Sequence, residues 1–160
     1  MESISTNSHI VHEIKDIFEQ ARSNVAFNAN SELLHAYWQI GKLIADHVIE
    51  NDINDLTSRK YILDLSKTLT KELGRGFSRS NLFNMRNFYL NYPDVQTLSG
   101  HLSWSHFCEL LAISDLDARN FYEKECQNSR WSIREHNHQV DSGICCGLYP
   151  LPVHFSRSEK

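Results

Sequence analysis

Residues 60–92 read KYILDLSKTLTKELGRGFSRSNLFNMRNFYLNY, and the fold follows from this stretch. Tyr61, Ile62, Leu65, Leu69 and Leu73 recur at the three- and four-residue steps of one helix face. Gly74 and Gly76 stop that helix. Ser78 has the side chain of an N-cap, which predicts a second helix from Arg79 to about Tyr92, ended by Pro93. On this second helix Leu82, Met85, Phe88, Tyr89 and Tyr92 share one side, while Ser80, Asn84, Asn87 and Asn91 fall within roughly 60° of one another on the other. Helix, glycine turn, capped helix is the arrangement of a helix-turn-helix.

The same periodicity extends in both directions. Ile10, Ile14, Ile17, Ala21 and Val25 recur at helical spacing, as do Leu33, Tyr37, Ile40, Ile44 and Val48. They form one long helix or two helices broken near Asn28–Asn30, and both readings stay open. Residues 51–58 (NDINDLTS) read as a polar connection and residues 98–102 as a loop. Ser103 caps a helix starting at Trp104, with Leu102 placed to pack on Phe107, and Asp115 caps another. Ser132-Ile133-Arg134-Glu135 is a capping box opening a last short helix. The expected fold class is all-α: a flexible N-terminus over 1–9, a multi-helix domain over 10–142 containing the helix-turn-helix, and an irregular C-terminal tail over 143–160.

Composition agrees. Of 160 residues, only six are Gly and three Pro, with no proline before Pro93, which excludes turn-dense all-β and collagen-like chains. The longest apolar runs, such as Leu110–Ile113, are too short to span a bilayer, and residues 1–9 lack a signal peptide's basic head and apolar core. Cys108 and Cys126 sit in helical patterns as small apolar residues, and Cys145 and Cys146 are adjacent, so no disulfide framework appears. A cytoplasmic protein with no membrane partner is expected.

The net charge of −4 is unevenly distributed. Arg59–Arg86 holds seven bases (Arg59, Lys60, Lys67, Lys71, Arg75, Arg79, Arg86) against Asp64 and Glu72, so this segment is +5 and the remainder −9. An isolated basic run is usually a solvated helix face. Here it coincides with the helix-turn-helix, whose second helix enters the DNA major groove N-terminus first. Ser80, Asn84 and Asn87 are the candidate base-facing residues, since Asn pairs bidentately with adenine. Arg79 and Arg86 flank them, Ser78 offers a helix N-terminus to a phosphate, and Lys67, Lys71 and Arg75 would hold the backbone. Phe83 and Leu90 lie outside the apolar arc and point to a second surface, such as a partner subunit.

Catalysis finds little support. His106 and Cys108 are two residues apart on a presumed helix, so their side chains diverge by about 160° and form no dyad; His106 reads as a packing or capping residue. His136, His138, Cys145 and Cys146 match no usual zinc spacing. There is no Gly-rich phosphate loop. No metal and no cofactor is expected.

Several segments together resemble one family, the N-terminal helical domain of YhcG-type PD-(D/E)xK nucleases. They are Tyr37–Lys42 (YWQIGK), the helix Tyr61–Leu73, Gly76-Phe77-Ser78, Asn81-Leu82, Met85-Arg86, Phe88-Tyr89, Leu102–His106 (LSWSH) and Trp131–Glu135 (WSIRE), spanning roughly residues 10–142. The resemblance implies a helix-turn-helix module preceding a nuclease domain, with cleavage assigned to that other domain. After Ser142 the family's continuation gives way to ICCGLYPLP, as in a shifted reading frame, so the family's catalytic residues have no positions here. The expectation is therefore a non-catalytic DNA-binding module, forming a homodimer or joining a nuclease domain or subunit. The alternative is a protein–protein interaction or dimerisation module that docks that nuclease.

Overall fold

A computed structural model of the chain describes residues 3–94 and 100–142, with the backbone alone over 3–10. The expected irregular tail over 143–160, with Cys145 and Cys146, lies outside the described residues. Among the described residues there are six α-helices, one short 3₁₀ turn and no strand.

The first helix, α1 (Ser3–Glu50), runs unbroken for 48 residues, which resolves the alternative of two helices in favour of one. It opens at Ser3, so it runs through most of the segment read as a flexible N-terminus. Asn side chains weaken helices by competing for local backbone groups. The Asn30 amide is instead committed to tertiary contacts, donating to the carbonyls of Gly100 (2.8 Å) and Leu102 (2.7 Å). Asn54 caps α2 (Asp55–Leu73) by accepting from the Thr57 N–H at 2.9 Å. The polar connection is thus shorter than residues 51–58 suggested. Residues 55–58 already belong to α2, and Ser58 is buried.

Gly74 ends α2 with φ of 98°, a left-handed conformation that a side chain would strain. A 3₁₀ turn follows at Arg75–Phe77, then α3 (Arg79–Asn91). The remaining helices are α4 (Trp104–Leu111), α5 (Leu116–Ser129) and α6 (Ile133–Ser142). Their caps are the ones the sequence marks. Asp115 accepts from the Ala118 N–H (2.7 Å), and Ser132 and Glu135 exchange hydrogen bonds at 2.7 and 3.3 Å. Ser103 and His106 form a further capping box. His106 also reaches the Trp131 carbonyl through Nε2 (2.9 Å), so it ties the start of α4 to the α5–α6 junction.

The centre of this body is α3. Its Phe88 belongs to a core with Leu34, Leu102, Phe107, Leu110 and Tyr122, while its Leu82 and Met85 belong to a second core with Ile44 and Ile62. α1 crosses α3 at Gly41, where a Cβ would stand 1.9 Å from the Met85 carbonyl oxygen, so only glycine allows this approach. Trp38 clamps the crossing, donating to the Tyr92 carbonyl (2.7 Å) and meeting the Tyr89 ring edge-on. Burial of these large side chains, worth about 1.5–3 kcal/mol each, holds the C-terminal part of α1 to the body. No helix among the described residues is long and apolar enough to cross a membrane.

Candidate nucleic-acid interface

The elbow between α2 and α3 is rigid because both helices bond to the turn. Ser66 Oγ (2.9 Å) and Thr70 Oγ1 (3.3 Å) donate to the Phe77 carbonyl from α2. From α3, Asn81 Nδ2 donates to the Gly76 carbonyl. Asn81 Oδ1 in turn accepts from Trp104 Nε1 (2.7 Å), which fastens the elbow to α4. Helical periodicity carries no sign that Asn81 and Trp104 meet at the elbow. The only local signal was an amide three residues after the Ser78 cap.

On α2, Ile62 and Ser66 point into the core. Lys60, Lys67 and Lys71 fall within roughly 40° of one another on the opposite face. Lys67 is paired with Asp64 at 3.3 Å, an exposed contact of small energetic weight. Lys71, Arg75 and Arg79 are exposed and make no ion pair among the described residues. Arg79 lies over the Phe83 ring, 5.7 Å from its centre. Ser78 is exposed, and its Oγ accepts from the Asn81 N–H at 3.3 Å.

The amide stripe of α3 divides. Ser80 and Asn87 are exposed, on the arc left open by Leu82, Met85 and Phe88. Asn84 departs from its expected place facing DNA bases: it is half-buried and hydrogen-bonds the Cys108 thiol on α4. Asn91 is spoken for as well, donating to the Asn87 carbonyl (2.8 Å) and accepting from Arg119 Nη1. Arg86 is half-buried, with an Nε that is enclosed and has no hydrogen-bond partner among the described residues. The open face of α3 thus combines Arg79, Ser80 and Asn87 with the half-buried Phe83 and the exposed Leu90.

Other chemistry-bearing groups are subdued. Burial pushes the Cys108 thiol up to about 11 and that of Cys126 up to about 12, so neither supplies a thiolate near neutrality. Among the described residues no three His, Cys, Asp or Glu side chains are grouped to hold a metal. A cavity of about 240 Å³ opens beside His136, lined also by Glu109, Ile113 and Val140. His136 is 1% exposed, and burial lowers its pKa below the usual histidine value.

Residues 13–145 match the family described as the DUF1016 N-terminal domain. The chain is also 29% identical over 177 aligned positions to the Escherichia coli (strain K12) protein named "Putative nuclease YhcG". That alignment takes in 88% of this chain and 47% of the other, so the chain spans about half the length of that relative. No solved structure matches.

Proposed function

From the premise that the chain belongs to the DUF1016 N-terminal domain family, we propose that it is a non-catalytic DNA-binding module, reading duplex DNA through the α2–α3 elbow. The observation that carries this reading is the elbow's unpaired cations. Lys71, Arg75 and Arg79 stand in solvent around a turn that α2, α3 and α4 hold fixed. Cations already matched by carboxylates would gain little from phosphates; these have no such partner among the described residues. Phosphate contacts from Lys71, Arg75 and Arg79 position the helix, Lys67 joins them by exchanging its exposed Asp64 contact for a phosphate, the α3 N-terminus at Ser78 receives a phosphate, and Ser80 and Asn87 face base edges. Arg86 contributes from the flank. Asn84 acts indirectly, by setting α3 against Cys108. A relative named as a nuclease supports a polynucleotide partner. Cleavage would belong to a further domain or subunit of that system.

The test is binding of a labelled duplex as a function of salt. Affinity should fall steeply between about 50 and 200 mM, and Arg79→Ala and Lys71→Ala should each reduce the salt slope by about 1. Absence of binding at about 50 mM salt would end the reading. A second reading draws on the exposed Leu90 beside Phe83, an apolar pair suited to docking a nuclease domain. Leu90→Ala separates the two: it removes apolar contact without adding charge, so it would weaken docking and leave the salt dependence of DNA affinity in place.

A further inference from the structure

A second apolar stripe runs along α1 from Val11 to Leu43, on the side turned away from the face that carries Leu34, Gly41 and Val48 into the body. Its large members are between 43% (Leu33) and 71% (Leu43) exposed, except Ile40, which is half-buried at the edge of the second core, and Ala21, Ala29 and Ala36 are exposed as well. Successive members are 3, 4, 3, 4, 4, 4, 3, 4 and 3 residues apart, the alternation of a coiled-coil seam with one extra residue in the middle. The seam is about 50 Å long. The next longest helix, α2, has 19 residues and commits one face to the core, so no other described helix can cover it.

The series of steps reads the same in both directions, so the seam matches itself when a second copy is laid antiparallel. Side-chain size then alternates across the pairing. Val11 meets Leu43, Ile14 meets Ile40, Phe18 meets Ala36, Ala21 meets Leu33 and Val25 meets Ala29. In three of these five layers a large side chain faces an alanine, which is how facing helices interdigitate without voids or clashes. Parallel pairing would set Phe18 against Phe18 and Ala36 against Ala36. Antiparallel pairing also sets Arg22 level with Glu32 of the second copy, whereas parallel pairing sets like charge level with like.

We propose that α1 is a self-complementary antiparallel dimerisation helix, whose occupant is α1 of a second copy of this chain related by a two-fold axis between Val25 and Ala29. This inference is independent of the DNA reading, because its test measures mass.

Sedimentation equilibrium of the full chain should give twice the monomer mass at micromolar concentration. Ile14→Asp or Leu43→Asp should weaken association by roughly a hundredfold while leaving the helical circular dichroism signal in place, since both side chains are solvent-exposed in the monomer. Phe18→Ala and Ala36→Phe should each weaken the dimer, the first by a void and the second by a clash. Combined in one chain, they should restore it, because antiparallel pairing exchanges the two members of a layer. A wild-type chain that stays monomeric at about 100 μM would overturn the proposal, as would a dimer indifferent to Ile14→Asp. Failure of the double variant to regain the dimer would overturn the antiparallel register.

Discussion

The two halves of α1 obey the same helical geometry and draw their stability from different places. From Asn30 onward the helix is bound to the body by the Asn30 amide, the buried Leu34, the Trp38 clamp, the Gly41 crossing and Ile44. Before Asn30, residues 11–29 are exposed throughout, and the Phe27 ring against His101 (5.0 Å) marks where tertiary contact begins. This outer half holds itself with local pairs such as His12–Asp16 (3.6 Å) and Glu19–Arg22 (3.4 Å), worth a few tenths of a kcal/mol each. A helix segment stabilised so weakly within one chain, yet carrying Ile14, Ile17 and Phe18 on its surface, is built to be covered.

That contrast can be broken at its strongest point by Gly41→Ala. In an ordinary helix interior this change stabilises by about 1 kcal/mol, but against the Met85 carbonyl it should cost about 3 kcal/mol, read as a lower urea midpoint. A neutral result would mean that α1 and α3 do not cross so closely. Asn30→Ala sharpens the boundary between the halves. Losing two hydrogen bonds to the loop carbonyls should cost about 1–2 kcal/mol, and a loss within error would move the boundary toward the C-terminus.

Acid should act on the body. The buried His136 resists protonation, with an Nε2 that has no partner among the described residues and with His106 nearby as a further opposing charge if protonated. Its folded pKa lies below the unfolded value of 6.5, so the unfolded state takes up the proton first and stability falls as pH drops below that value. Glu123, whose pKa burial raises, pulls in the opposite direction above the usual carboxylate range. The informative quantity is therefore a difference: His136→Phe should flatten the acid-side decline in melting temperature relative to the wild type. Smallest of all, Arg22→Ala should change the unfolding free energy by no more than about 0.5 kcal/mol, since its contact is an exposed pair on the outer half.

What could be read from the sequence was what depends on neighbours within one helical turn. Ser78, Ser103, Asp115 and the Ser132–Glu135 box occupy their expected cap positions because a cap needs only a side chain and an N–H three residues on. The buried face of α3, with Leu82, Met85 and Phe88, was legible for the same reason. Asn84 was misplaced because its amide-rich stripe predicts solvent, and only the approach of α4 with Cys108 turns it inward. Asn91 likewise lies on the stripe until Arg119, 28 residues away, takes its carbonyl oxygen.

By itself, then, the sequence determined the helical class, the caps, the basic elbow and the family resemblance, since each follows from composition, from short spacings or from a pattern of residues along the chain. The tertiary structure decided that α1 continues through Asn28–Asn30, which of the α3 amides remain open, and which face of α1 the body leaves uncovered. Those outcomes depend on which segments meet across seventy or so residues of chain, as Asn30 meets Leu102, and helical periodicity holds no record of such meetings.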